Sequence, residues 1–492
     1  MRNGLTKPRL LLLFAEVLAL ALLAVMATRH YGLSDGLSIT VSYLVSYLVP
    51  LMLLKRARGT SITAHVLLLA LTIGLSIVSF YSLLEWTALD GYSLERPNLS
   101  SDARNYYKWA LNKFDGSVDR PESVFPGFPL MLVALWKMFG LSVVWPQAMN
   151  QMFTLLSVVL TGMTARRLLE GRVKAGPRVL MAGAIALTCL LAYYLMSGIS
   201  LLKEGTIYLS SAMAAYSLSS MASEDDDRHH LWRDILLFVL ACVIAAFVRT
   251  TFLYFLGLGL VIMTLPHLRR DWKMSLGLLI ILAAFFVLGN HFAAYSVERH
   301  VEIASGGWNM QRTFLRNSYY KGLIGYYFLF SPVHRAFMLP LTAVAQFVFP
   351  CPWMTNYETP YLLSLIARQS YGWYFVGGTA MFYCLFISWR RHENIGVWTW
   401  WAVIIYLGLA YVMGGAMVRY LLPFEPLFVP MALFVICRLF EGRWRKGYAI
   451  WMSVIVLIVL MALLVLLEVQ QGIISSTFHL PPLRDIILQE TL

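Results

Sequence analysis

Charge is scarce in this chain. Only 13% of its 492 residues are Asp, Glu, Lys or Arg, about half the share of an ordinary soluble domain, and mean hydropathy is +0.67. Cysteine is scarce too. The five present (Cys189, Cys242, Cys351, Cys384 and Cys437) lie mostly inside apolar segments without C-x-x-C spacing, which indicates neither a disulfide framework nor a metal cluster. No Walker A loop, G-x-S-x-G elbow or H-E-x-x-H pair occurs, so the nucleotide-driven and hydrolytic machineries those motifs build are not indicated. There is also no low-complexity linker, no short-period repeat and no stretch that reads as a separate soluble domain.

Long apolar runs fill the space. In hydrocarbon a backbone must satisfy its own hydrogen bonds, as a helix or a closed barrel. These runs are of membrane-crossing length and lack period-2 alternation, so helices are expected. Spans fall near 10–27, 38–54, 63–85, 143–165, 179–197, 199–222, 234–248, 250–266, 274–293, 372–389, 396–416, 421–437 and 448–468. The expected fold is all-α and polytopic, a single transmembrane unit of about 13 helices. The basic start MRNGLTKPR resembles a signal peptide, but no convincing cleavage site follows by Met26, and the segment reads as a retained first helix. Two shorter proline-flanked stretches, 126–140 and 336–350, read as interfacial or re-entrant.

The net charge of +13 is unevenly placed. Alternate connections (the N-terminus, 55–59, 166–178, 223–234, 267–273, 389–394 and 437–447) hold 22 Lys and Arg against 9 Asp and Glu, and the remainder holds 17 of each. Basic loops stay cytoplasmic, which puts the N-terminus inside and the tail 469–492 outside. The basic balance then reports topology and anionic headgroups of membrane lipids, not nucleic acid. Two long loops fall on the outer face, 86–142 and 294–371. Loops of this length are uncommon unless functional.

The first of these loops contains Asp102, followed by a helix-like run with Tyr106 and Ala110. Asp102 or Ser101 reads either as a helix cap or, for Asp102, as a carboxylate that takes a proton from a nucleophile. Lys203 and Glu204 open a span, where charges face a cavity or partner or snorkel to the surface. Arg249 falls in a short outer turn. Arg419 and Tyr420 occur in GGAMVRYLLPFEP on an otherwise uncharged hairpin; a guanidinium fork suits phosphate oxygens, and a headgroup anchor is the competing reading. The second loop holds Arg299, Trp308, Arg312, Arg316, Tyr319, Tyr320 and Lys321, fit to hold a sugar phosphate or to form an amphipathic surface helix. The run 224–230 (EDDDRHH) reads as a solvated charge cluster, and Asn98-Leu99-Ser100 is a chance-prone glycosylation match.

Two separated pieces resemble the GT-C superfamily of membrane glycosyltransferases that use polyprenyl-phosphate sugars, including protein mannosyltransferase-like and aminoarabinose-transferase-like enzymes. One is Asp102, Tyr106, Ala110, then Phe125-Pro126-Gly127-Phe128-Pro129 and Phe139-Gly140; the other is Arg419-Tyr420-Leu421-Leu422-Pro423 with Pro426. Lys203-Glu204 falls where relatives often carry a charged pair. The resemblance implies inverting transfer from a polyprenyl-phosphate sugar to a glycan, lipid or protein acceptor, at the outer face of a plasma or bacterial inner membrane. Asp102 would be the base. Arg419, with Lys203 or Arg249, would neutralise the leaving phosphate. Ala103 stands where many members have Glu, which leaves the acceptor class and any divalent metal open; no cofactor is required by the sequence. A polymerase or ligase of polyprenyl-diphosphate-linked glycans and a glycolipid flippase are the alternatives.

Overall fold

The structure, a computed structural model, describes residues 7–57, 60–99, 101–117, 127–222, 231–249, 252–264, 332–348, 373–391, 395–413, 421–442 and 446–454, with a few single positions between 276 and 287. Every regular element among them is helical. The expected spans 274–293 and 448–468, the tail 469–492, and the second long loop except for 332–348 lie largely or wholly outside the described residues.

The first helix, α1 (Lys7–Arg56), is broken at Gly32, whose φ of 84° and ψ of 175° are not helical. Its two arms fold back on each other. The Tyr47 hydroxyl donates to Glu16 Oε1 at 2.5 Å, and His65 Nε2 lies 2.8 Å from the same oxygen. One continuous element therefore contains both expected spans, 10–27 and 38–54. Beyond a turn, the Ser61 side chain accepts the Ala64 N–H and caps α2 (Ile62–Thr87), as serine before a first turn favours.

Two short helices follow, α3 (Ser101–Phe114) and α4 (Gly127–Phe139), before α5 (Val144–Leu169) runs through the centre. Around α5 pack α1, α2, α6 (Pro177–Cys189), α7 (Ala192–Ile199), α8 (Glu204–Ala222) and, from the far end of the chain, α14 (Glu425–Phe440). Between apolar helices in lipid there is no hydrophobic drive to associate, and small residues with buried hydrogen bonds take that role. α5 carries such a stripe. Gln147 accepts from Tyr43 and donates to Ser79 O; Gln151 accepts from Ser79 and donates to Ser76; Ser157 pairs with Tyr194 at 2.6 Å. On the same helix Gly162 lets Met181 and Ile185 of α6 come close.

α8 packs against α9 (Leu231–Val248) and α10 (Phe252–Thr264). α10 meets α13 (Val397–Met413), where the indole of Trp401 fills the space beside Gly259. A helix at Pro332–Val348, α11, packs along α13 and receives the Tyr406 hydroxyl on Ala343 O. The described part of the stretch expected at 336–350, up to Val348, thus lies against α13. A π-helical turn at Trp373–Gly378 leads into α12 (Thr379–Arg391), and a 3-10 turn, Leu422–Phe424, precedes α14.

By length and composition four helices can cross a membrane: Leu10–Arg56, Ile62–Thr87, Val144–Leu169 and Leu422–Phe440. Five shorter helices are also apolar, Gly127–Phe139, Pro177–Cys189, Phe252–Thr264, Val376–Ile387 and Val397–Tyr411. The protein is a membrane-embedded, all-helical bundle. Its periphery is apolar, with Leu11, Phe14, Val17 and Val25 of α1 exposed, whereas the polar stripe of α5 is buried.

The bundle has two chemically different ends. At one, Arg167 Nη2 lies 2.6 Å from Asp234 Oδ2, Arg438 pairs with Glu441 at 3.0 Å, and Glu441 also accepts the Lys174 N–H. At the other, Tyr31 meets Thr87, Asn98 N–H donates to Trp86 O, and Val143 N–H to Leu94 O. That second end carries α3 and α4.

Candidate functional site

α3 begins at Ser101, so Asp102 stands in its first turn and does not precede it. A carboxylate there is favoured by the helix dipole. Four residues on, and therefore on the same helix face, Tyr106 packs edge-on against Phe128 of α4 with ring centroids 5.6 Å apart. The next turn is fixed by Trp136. Tyr107 and Phe114 both meet its ring, and its indole N–H donates to Ser142 O. Tyr107 also donates to Glu95 O, and burial, with the charge of Glu95 added, pushes its hydroxyl well above the ordinary phenol range.

Lys203 comes from a different part of the chain and reaches the same place. Its Nζ lies 5.5 Å from the centroid of the Tyr106 ring, a cation–π distance. Lys203 is only 6% exposed and Glu204 2%. Sequence placed the pair near the outer end of a span running 199–222; Glu204 is the first residue of α8, whereas α7 ends at Ile199 and residues 200–203 are not helical. The break has a cause. Asn150 of α5 donates from Nδ2 to Ser200 O at 2.6 Å and to Leu202 O at 2.8 Å, holding this corner out of helix.

Arg249, 9% exposed, directly follows Val248, the last residue of α9. Its carbonyl accepts the N–H of Phe252, the first residue of α10, at 2.9 Å. Two residues earlier the Phe247 backbone abuts Gly127, leaving no room for a Cβ there; Gly127 is followed by Phe128, the partner of Tyr106. The N-terminus of α10 in turn receives the late chain. Phe424 stacks on Phe252 at 4.9 Å and meets Phe255 edge-on at 5.1 Å, and the 3-10 turn at Leu422–Phe424 packs against α8.

Asp102 and Tyr106 on α3, Lys203 and Glu204 at the start of α8, and Arg249 after α9 therefore lie at the same end of the bundle, where Lys203 meets Tyr106. Arg419, Tyr420 and Arg312 lie outside the described residues. Among the described residues no three His, Cys, Asp or Glu side chains converge as a metal site.

Several residues of this region were missed from sequence. Asn150 is fully buried, and Gly198 and Gly205 lie where the corner meets α5: a Cβ on Gly205 would lie 2.7 Å from Gly198 O and 3.0 Å from Asn150 O. Glu425, 4% exposed at the start of α14, was also missed. The available signal was polar spacing. Gln147, Asn150, Gln151 and Thr154 repeat at helical intervals inside an apolar span, and in a membrane such groups must find partners. No protein-family model, curated protein or solved structure matches the chain.

Proposed function

We propose that the protein is an inverting glycosyltransferase that moves a sugar from a polyprenyl-phosphate donor to an acceptor hydroxyl at the outer membrane face. The observation that carries the reading is the meeting of α3 with the Lys203 corner: Asp102 stands one turn from the ring over which the Lys203 ammonium is held. The chemistry needs a base and a fixed cation near each other, and these two supply them. Asp102 takes the proton from the acceptor hydroxyl as its oxygen bonds to the anomeric carbon from the face opposite the phosphate. The bond from that carbon to the phosphate oxygen breaks, and the electron pair leaves with the polyprenyl phosphate.

That leaving group needs charge stabilisation, not protonation. Cations already held in a partly dry site provide it at no cost in reorganisation. Lys203 and Arg249 are such cations, and Arg419 joins them in this reading. The topology that goes with it has about 13 crossings, the basic ends of α5, α9 and α14 in the cytoplasm, and α3 and α4 on the far side.

The test presents purified protein with a panel of polyprenyl-phosphate sugars and candidate acceptors. Transfer with inverted anomeric configuration is expected. Absence of transfer across the panel, together with movement of labelled glycolipid across vesicles without a new glycosidic bond, would replace the reading with the flippase one.

A further inference from the structure

We propose that Asn150 is the positioning residue for the phosphate-facing cation of this site, acting through Lys203. The proposal rests on the reading of Lys203 given above and adds the residue that places it. Asn150 lies inside α5, fully buried, and spends both Nδ2 hydrogens on the carbonyls of Ser200 and Leu202, at 2.6 and 2.8 Å. These are two of the three residues directly before Lys203. Thr154, one turn further along α5, lies against Gly198 at the end of α7, and Gly205 is in close approach to the Asn150 backbone and Oδ1. The corner is thus clamped to the central helix on both sides of Lys203.

The physical reason for an amide is specific. Residues 200–202 leave the helix, so their carbonyls lose the N–H groups four residues on that a continuous helix would supply; Lys203 O keeps its bond from Ile207 of α8, and Ser200 O takes a local one from Leu202 N–H. Buried among apolar helices, those carbonyls need donors. An amide NH2 offers two, from one rigid planar group. The same two bonds fix where the next side chain projects, and a cation that must meet a phosphate loses much of its effect when displaced by about 1 Å. Gln147 and Gln151, on the same stripe, tie α5 to α1 and α2 and not to this corner.

The experiment uses the full chain in lipid nanodiscs, with undecaprenyl phosphate as the probe. Its affinity is measured for wild type, Asn150→Ala, Asn150→Asp, Lys203→Ala, the Asn150→Ala/Lys203→Ala double variant and Gln147→Ala. Hydrogen exchange of the peptide covering 199–207 is followed in the same samples. Asn150→Asp keeps the volume but turns two donors into acceptors facing carbonyls, so a packing effect alone would spare it.

Both Asn150 variants are expected to weaken binding about tenfold and to speed exchange at 200–203, as lost buried hydrogen bonds should. The double variant should bind no worse than Lys203→Ala, because Asn150 acts through that lysine, and Gln147→Ala should bind as wild type. Wild-type affinity in the Asn150 variants beside a weakened Lys203→Ala, or additive losses in the double variant, would overturn the proposal. Wild-type affinity in Lys203→Ala would instead remove the phosphate role of Lys203 and the proposal built on it. Exchange at 200–203 then decides separately whether Asn150 holds the corner.

Discussion

Replacing Gly205 by Ala gives a prediction whose sign is contested between two effects. Gly205 is the second residue of α8. By intrinsic preference, Gly→Ala inside a helix gains about 1 kcal/mol. The surroundings oppose this. The new Cβ would stand 2.7 Å from Gly198 O and 3.0 Å from Asn150 O, where carbon and carbonyl oxygen normally keep about 3.3 Å or more. Both neighbours are backbone atoms, so neither can rotate away, and the Gly198 carbonyl must retreat by about 0.6 Å to reach that separation. Overpacking of this kind costs about 1–3 kcal/mol, and part of the helix gain is lost in a first turn whose N–H groups have no intrahelical partners. The net expectation is a loss of about 1–2 kcal/mol. The control is Gly74→Ala in α2, where a Cβ meets nothing within 4 Å and the propensity gain stands alone. Melting temperatures of both variants in one detergent should move in opposite directions, Gly74→Ala up and Gly205→Ala down. A Gly205→Ala protein that melts as high as Gly74→Ala would refute the close packing of the Lys203 corner.

Gly32→Ala should destabilise by about 1–3 kcal/mol, because the fold of α1 needs a backbone conformation that side chains resist; limited proteolysis between the two arms is the check, with no added cleavage counting against it. Asp234→Ala should cost about 1.5–3 kcal/mol, since it removes the carboxylate 2.6 Å from the partly buried Arg167, which keeps its contacts with Tyr216; a thermal melt unchanged from wild type would show the pair to be dispensable. Arg249→Ala should raise KM for a polyprenyl-phosphate sugar about tenfold or more, by loss of a charge-assisted contact, while the melting temperature moves little; an unchanged KM would place Arg249 outside the donor site.

Much of the fold was legible because lipid enforces it. Apolar runs of membrane length became helices, and the expected spans at 63–85 and 143–165 correspond to α2 and α5. The boundaries that failed are those decided by tertiary contacts. Hydropathy cannot place a break at 200–203, where Leu201 and Leu202 are as apolar as the spans on either side and Ser200 repeats the Ser197 inside α7; the break depends on Asn150, some 50 residues earlier. Likewise 179–197 reads as one span, but it is interrupted between Cys189 and Ala192. Of the candidate site, the charged residues stood out because charge is rare in such a chain. Their supports did not, since Gly127, Gly198 and Gly205 matter for the atoms they lack, and a glycine in an apolar run carries no sign of what it lies against. Asn150 gave some warning through its periodic polar neighbours, but nothing in that periodicity says which carbonyls it holds.

The most direct test of the account is the transfer activity of Asp102→Asn. Asn keeps the size and helix position of Asp102 but cannot accept the acceptor's proton. The account predicts that this variant, folded and melting like wild type, loses sugar transfer from a polyprenyl-phosphate donor by at least about a hundredfold, the contribution of a general base. Full activity in Asp102→Asn would reduce Asp102 to a first-turn residue of α3 and would contradict the central claim.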